Sequence, residues 1–450
     1  MKKTAGRSRF TAIETLYRLQ KSHTFVSRII DRVASENDLN SQDRHLVMNI
    51  CYGVLRNRDY LDYLMARLCR QPVRKMKPFI YHALSVGLYQ LFCLDRIPAS
   101  AAVNETVNGV KMARLSRPLQ GFVNGVLRES LRQRNHLPAP DGVDDTGKPF
   151  LNHPQWLTNR WLRRFGRKTM QAVCLANNRE PVLCLRLARG ISVDHYRHIL
   201  KTAGIDSLPG EYAPDSVILS HYHGAITEVP GFRKGLFQVQ DQSAQLAVGL
   251  LGPFRERERI LDCCAGVGGK TILASVLSAE NSRIIALEPS RLRFRQLQEN
   301  IERMGEQKRI VVYNTALQDF FRSSRLLFDK ILVDAPCSGT GVVGRQPDIR
   351  WNRKENDLVV NQTRQLQILE AAAARVRPRG CIVYATCSLE EEENEMVINT
   401  FIARNQAFQL TDAKTYLPTE AHCLMRGPYF FPLPSQRVDG FFAARLVRVS

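Results

Sequence analysis

From the N-terminus to about residue 134, apolar residues recur at three- and four-residue steps with few strand-like alternations. That is the period at which a helix buries one face. Residues 11–20 and 79–93 are expected to form amphipathic helices, the second with Leu84, Leu88, Leu91 and Phe92 on one stripe. Pro98 and Pro118 break the pattern where helices are expected to stop. The stretch 136–148 holds Pro138, Pro140, Gly142, Gly147 and three aspartates, which suits a linker. From Pro154 to about Phe237 the pattern is mixed, with a helix over 156–174 and short β-like segments at 181–187 and 216–219. From Gln240 onward, short apolar strands (259–262, 283–288, 310–313, 330–334, 381–385) alternate with helical segments. This rhythm implies βαβ units and a mostly parallel, doubly wound sheet.

The expected organisation is multidomain. An all-α domain covers residues 1–135, a linker 136–153, a small α+β module 154–237, and an α/β Rossmann-like domain 238–450. A length of 450 residues agrees, at roughly 150 residues per domain. No internal repeat is visible.

Charge changes the picture most. Lysine and arginine exceed aspartate and glutamate by 21, and such an excess concentrates polyanions near the surface, so nucleic acid is the natural first partner. A scattered basic surface kept for solubility is the alternative. A membrane partner is not expected: no long amphipathic basic helix is present, and no stretch approaches the roughly 20 apolar residues of a membrane helix. The opening residues Met1 to Arg7 lack the apolar core of a secretion signal. Eleven cysteines, an odd number, then argue for reduced thiols and a cytoplasmic location. No Cys-x-x-Cys pair occurs, and Cys263 and Cys264 are adjacent, a poor zinc spacing. His221 and His223 flank Tyr222 in a loop-like stretch and read as loop polarity, so no metal is expected.

The strand 259–262 runs into Cys263, Cys264, Ala265, Gly266, Val267, Gly268, Gly269 and Lys270 before a helix from Thr271. Glycines here let the backbone turn tightly and approach a ligand. A Walker A loop would fit Gly269-Lys270-Thr271, but Cys264 stands where its first glycine belongs; a dinucleotide fingerprint would need glycine at Thr271. S-adenosylmethionine remains, and Glu288, ending the next strand, is placed to accept both hydroxyls of a ribose.

Asp334-Ala335-Pro336-Cys337 and Thr386-Cys387-Ser388 each follow a predicted strand. Ligands of such sheets bind beyond the carboxyl ends of the strands, so two thiols and Asp334 are expected beside the cofactor. A small buried cysteine often only fills space; two of them, one behind an Asp-x-Pro turn, favour chemistry. Carbon 5 of cytosine is a poor nucleophile, and adding a thiolate to carbon 6 makes it enamine-like. A carboxyl such as Asp334 would serve N3 during that addition, and a second cysteine would assist release.

The segments Asp334-Ala-Pro-Cys337-Ser-Gly-Thr-Gly, Arg345-Gln-Pro-Asp348-Ile-Arg-Trp351 and Ala385-Thr-Cys387-Ser388 resemble the signature blocks of RNA 5-methylcytosine methyltransferases. The resemblance implies attack by Cys387 and release by Cys337. Asp43-Arg44, Tyr52-Gly-Val-Leu-Arg56 and Gly121-Phe-Val-Asn124-Gly-Val-Leu-Arg128 resemble the NusB-type RNA-binding extension of members acting on small-subunit ribosomal RNA. Val239 to Gln245 is similar to the entry of their catalytic domain, and Asp439-Gly440-Phe441-Phe442 to its closing hairpin. The implied substrate is a cytosine in 16S ribosomal RNA, naked or early in assembly, with no obligatory protein partner.

Two positions depart from the family pattern. Gly266-Val267 replaces Ala-Pro, a loss of loop stiffness worth roughly 0.4–1 kcal/mol. Asn314-Thr315 replaces Gly-Asp, leaving Thr315 to meet the adenine at a cost of about 1–3 kcal/mol. Cofactor binding is thus expected through 264–270, Glu288, Thr315 and Asp334, but weakened. The rival readings are a non-enzymatic ribosomal RNA-binding or assembly factor with a weakened cofactor site, and a P-loop nucleotidase. Arg56, Arg58, Arg67, Arg70, Arg74, Lys75 and Lys77 are the expected phosphate contacts, and Arg345, Asp348 and Trp351 either line the substrate entrance or pack a loop.

Overall fold

The structure, a computed structural model, describes residues 6–22, 24–220 and 222–449; His221 and the first five residues, on which two of the expectations above rest, lie outside them. The chain divides into two compact units: Met1–Arg179 with Val343–Arg353, and Glu180–Val342 with Lys354–Ser450.

The first unit is all-helical: α1 (Arg7–Leu19), α2 (Val26–Glu36), α3 (Ser41–Arg56), α4 (Arg58–Leu68), α5 (Pro78–Cys93), α6 (Ala99–Met112), α7 (Arg117–Arg132) and α8 (Gln155–Asn178). The expectation of an amphipathic α5 is corrected. Every residue from His82 to Leu91 is buried, because α1, α3, α4, α6 and α7 all pack on it. Two glycines allow that enclosure. A Cβ on Gly53 would lie 1.9 Å from the Tyr89 ring, and one on Gly87 would lie 2.6 Å from Leu127. Burial drives the His82 imidazole down to about 3, so it is neutral. The prolines also read differently: Pro98 caps the start of α6 and Pro118 lies in the first turn of α7. They open helices, since proline's missing N–H costs nothing there. The expected linker ends inside the core, where the Phe150 ring meets Tyr60 and Tyr63 at 5.2 Å each.

Residues 343–353 are packed into this unit. Trp351 Nε1 donates to the Leu55 carbonyl (2.8 Å) under the Arg58 guanidinium (4.7 Å), and Asp348 accepts from the Val26 N–H (3.1 Å). Fully buried Arg350 donates to the carbonyls of Asn152 and Asn177 and to Asn178 Oδ1, at 2.8–2.9 Å. Burial, then nearby Arg56, lowers its guanidinium to about 9.

The second unit begins with an antiparallel sheet of β1 (Leu183–Leu187), β2 (Ser207–Pro209), β3 (Ser216–Leu219) and β4 (Phe237–Val239), in the order β2-β3-β1-β4, with α9 (Val193–Thr202) packed on it. There follow α10 (Gln242–Gly249), β5 (Arg259–Asp262), α11 (Gly269–Leu277), β6 (Arg283–Leu287), α12 (Arg291–Arg303), β7 (Ile310–Tyr313), α13 (Leu317–Ser323) and β8 (Phe328–Asp334). The short α14 (Ile349–Asn352) belongs to the first unit; α15 (Asn356–Ala373), β9 (Val376–Thr386), α16 (Glu395–Arg404), β10 (Phe408–Thr411), β11 (Met425–Arg426), β12 (Tyr429–Phe430) and β13 (Phe442–Arg448) complete the second. The large sheet runs β11-β12-β13-β9-β8-β5-β6-β7, with β10 also on β13. The run from β9 to β7 is parallel, and β13 closes antiparallel on β9. Strand order reverses between β5 and β8, so their carboxyl ends open the crevice where such sheets bind ligands. Among the described residues no helix is long and apolar enough to cross a membrane.

Candidate active site

Each element meeting at this crevice brings one polar group. β5 ends at Asp262, which accepts from the Thr271 hydroxyl (2.7 Å) and the Cys264 N–H (3.2 Å) and so ties the glycine loop to α11. Burial, then the neighbouring Asp334 charge, raises its carboxyl to about 6 against the hydrogen bond from Thr271. Gly266 and Gly268 have φ of +57° and +93°, where a side chain is strained, and a Cβ on Gly268 would lie 2.5 Å from Leu297. Exposed Val267 shows how the loop manages without the family's proline: its carbonyl takes a hydrogen bond from Asn300 Nδ2 on α12 (3.0 Å).

Glu288 follows β6 and is 2% exposed. Its Oε1 accepts from the Ser290 N–H (2.7 Å) and faces Arg293 Nε (3.5 Å), while Oε2 makes no hydrogen bond among the described residues. A free oxygen beside a left-handed glycine turn fits a ribose diol. Asn314 Nδ2 donates to the Glu288 carbonyl (2.7 Å), but the Thr315 hydroxyl turns to the Ala316 carbonyl (3.3 Å).

β8 ends at Asp334, whose Oδ2 is 2.7 Å from Lys270 Nζ. Burial alone would lower the Lys270 ammonium; the charge and hydrogen bond of Asp334 outweigh it and raise it. Cys337 lies three residues on, and Cys387 directly follows β9. The parallel register sets Asp334 beside Ala385, and the two sulfurs come to 3.3 Å. The Cys337 thiol is pushed well up, first by its hydrogen bond to Cys387 and next by burial.

Gly341 pins three motif blocks together. Its N–H donates to the Cys387 carbonyl and its carbonyl accepts from the Gly440 N–H, both at 2.9 Å. The Asp439-Gly440-Phe441-Phe442 block therefore forms the site's wall, with Phe441 5.1 Å from Lys270 Nζ.

Sequence reasoning missed a buried carboxylate beneath the thiols. Glu393 accepts from the Ser338 N–H (2.7 Å), the Ser338 hydroxyl (2.5 Å) and Asn361 Nδ2 (2.8 Å). Its only signal was an acidic run, Glu390 to Glu393, which reads as a solvated face. Other expected residues go elsewhere. Asp348 and Trp351 pack the helical unit, and Arg56 donates to the Gly344 carbonyl. Arg70, Arg74, Lys75 and Lys77 stay exposed. Against the P-loop reading, Cys264 stands at the first glycine position, and Lys270 and Thr271 pair with Asp334 and Asp262. No three His, Cys, Asp or Glu side chains gather as a metal site among the described residues.

A doubly wound sheet with a glycine loop after its first strand, a carboxylate after its second and a thiol pair at the crevice defines a Rossmann-like methyltransferase domain. Residues 249–447 match the 16S rRNA methyltransferase RsmB/F family, residues 6–132 the NusB family, and residues 153–224 the ferredoxin-like domain of RsmF/B-like methyltransferases. The chain is 35% identical over 415 residues to ribosomal RNA small subunit methyltransferase B of Photorhabdus laumondii, covering 92% of each. It is 34% identical to the Yersinia enterocolitica protein of that name, covering 94% of this chain and 96% of that one. The crystal structure of PH0851 superposes with a TM-score of 0.77 over 98% of both chains at 20% identity. A methyltransferase homologue from Pyrococcus horikoshii gives 0.55 at 26% identity, over 66% of this chain and 96% of its own. The chain belongs to the RsmB/F family of 16S rRNA methyltransferases, and its relatives along nearly the whole length are ribosomal RNA small subunit methyltransferases B.

Proposed function

We propose that this ribosomal RNA methyltransferase modifies carbon 5 of a cytosine in 16S ribosomal RNA through a covalent bond between Cys387 and carbon 6. The observation that carries this reading is the 3.3 Å contact between Cys337 and Cys387 beside the Lys270–Asp334 pair. S-adenosylmethionine supplies the methyl group as an electrophilic sulfonium; the 264–270 loop and Glu288 would hold it.

The residues divide the work as follows. Cys387 adds as thiolate to carbon 6, with Cys337, kept as a neutral thiol, donating its hydrogen bond to that sulfur. Asp334 hands a proton to N3, which becomes basic as the ring loses aromaticity, and Lys270 stabilises the carboxylate left behind; the proton returns to Asp334 on release. Once carbon 5 is methylated, water takes its proton, the C–H electron pair restores the carbon 5–carbon 6 double bond, and the carbon 6–sulfur bond breaks. The electron pair of that last bond returns to Cys387, where the Cys337 S–H meets it. The target base must be unpaired or flipped, since carbon 6 is approached from above the ring. The exposed basic residues between α4 and α5 would meet phosphates.

Incubating wild type, Cys387→Ala and Cys337→Ala with protein-free 16S RNA and methyl-tritiated S-adenosylmethionine, then running denaturing gels, tests this. Label in RNA for wild type, none for Cys387→Ala and a shifted RNA–protein band for Cys337→Ala are expected. Full activity of Cys387→Ala would end the covalent reading. No label and no adduct from wild type on competent RNA would favour an assembly factor.

A further inference from the structure

Cys337 and Cys387 sit on separate loops, and nothing in the β8–β9 register alone brings their sulfurs into contact. The loops are joined beneath the sulfurs. Ser338 and Ser388, the residues immediately after each cysteine, place their hydroxyls 3.1 Å apart, and both are fully buried. Thr340 reaches the same Ser388 hydroxyl (3.4 Å) and takes the Leu389 N–H (2.9 Å). All of this rests on the fully buried side chain of Glu393. Both its oxygens serve Ser338, and Asn361 and Gln365 of α15 donate to Oε1 at 2.8 and 3.4 Å. Gln365 also donates to the Pro336 carbonyl, one residue before Cys337 (2.9 Å). The Glu393 backbone is itself fixed, because the buried Tyr384 hydroxyl of β9 donates to its carbonyl at 2.6 Å.

We propose that Glu393 is a positioning residue for the thiol pair, clamping the loop of Cys337 onto the loop of Cys387 so that one sulfur can hand a hydrogen to the other. The inference rests on the reading of Cys337 and Cys387 above. A buried carboxylate is costly to keep, and a helix cap or a serine network alone would hold two loops with less. What the charge adds is direction. An anion facing the Ser338 side disfavours a second anion at Cys337, and its charge is among the causes that hold that thiol protonated, after the Cys387 hydrogen bond and burial. The sulfur this leaves for attack is Cys387. Burial raises the Glu393 carboxyl itself while four hydrogen bonds oppose that. Its partners all have a hydrogen to give, the two N–H groups of Ser338 and Asn361 among them, which suits the ionised form.

The clamp predicts a defect in chemistry and release rather than in binding, since the cofactor loop lies on other elements. For Glu393→Ala we expect kcat roughly 10- to 100-fold lower, as for small misplacements of reacting groups, with KM for RNA unchanged within about twofold. A denaturation-resistant RNA–protein adduct should accumulate during turnover, because Cys337 no longer meets the departing sulfur. Glu393→Gln keeps the N–H acceptor and the shape, and should recover most of kcat while the alkaline limb of its pH–kcat profile moves lower, Cys337 ionising more easily. Ser338→Ala, which removes one hydroxyl and leaves Glu393 in place, should give a weaker version of the same adduct build-up and covers the case in which Glu393→Ala does not fold. The full-length chain is assayed on protein-free 16S RNA, with thermal melting of each variant. A folded Glu393→Ala turning over like wild type, or activity falling only in step with the folded fraction and no adduct in any variant, would overturn the clamp. Wild type that methylates RNA while Cys387→Ala does so equally well would instead remove the reading on which the clamp depends.

Discussion

Lys270 Nζ stands 2.7 Å from Asp334 Oδ2, joining the glycine loop of β5 to the end of β8 across the point where strand order reverses. One ammonium thus links the glycine loop to the carboxylate at the end of the neighbouring strand. Lys270→Met should leave the protein folded, because both side chains keep some exposure, and lower kcat about 10²- to 10³-fold, as for a lost electrostatic stabiliser. Single-turnover methylation checks it; a loss appearing only in KM would mean Lys270 binds without acting.

Gly341 carries the tightest backbone meeting of the site. A Cβ there would fall 2.3 Å from the Gly440 carbonyl oxygen and 3.0 Å from that of Cys387. Gly341→Ala should cost about 1–3 kcal/mol of stability by overpacking and separate the thiols. Urea unfolding and trapping of the wild-type adduct check both; unchanged stability would show that the Asp439–Phe442 block yields freely.

The Asp262 carboxyl titrates near 6 in the fold against an ordinary 3.8. A raised value means the fold prefers the protonated form, so this group's stabilisation is complete below about 3.8 and is lost as pH rises through 6. Asp262→Asn keeps the shape without the charge. It should exceed wild type in stability by about 2–3 kcal/mol at pH 8, with the gap closing towards pH 4. Melting both proteins across that range checks it, and a gap that ignores pH would reassign the burial cost.

Thr315 faces the Ala316 carbonyl and Val267 is held by Asn300. Thr315→Asp should therefore tighten S-adenosylmethionine about 5- to 150-fold, whereas Val267→Pro should add little, since Asn300 already restrains that loop. Calorimetric titration separates the two. A larger gain from proline would show that the loop is still loose.

The strand-then-loop pattern was enough to place Glu288, Asp334, Cys337 and Cys387 at one crevice, because a parallel sheet aligns the ends of its strands. It was blind where tertiary packing overrides local pattern. Four residues on a stripe predicted an amphipathic α5, and only its five neighbouring helices explain why no face is polar. Pro98 and Pro118 mark helix edges in either reading, and spacing alone does not say which edge. Glu393 was illegible for a different reason. Within an acidic run, nothing local distinguishes Glu393, which turns inward to Ser338 and Asn361, or the equally buried Glu390, from the exposed Glu391.

The insertion of residues 343–353 into the first unit has a temporal side. Synthesis proceeds from the N-terminus, and domains generally fold as units as they emerge. The helical unit here cannot do so completely. The Leu55 and Asn152 carbonyls, and the Asn178 side chain, are spoken for by Trp351 and Arg350. Those residues reach the ribosome's exit only after the sheet strands through β8 have been made. The helical unit must therefore wait, partly unfinished, until most of the methyltransferase domain exists. A gene cut between the two would separate a lock from its key.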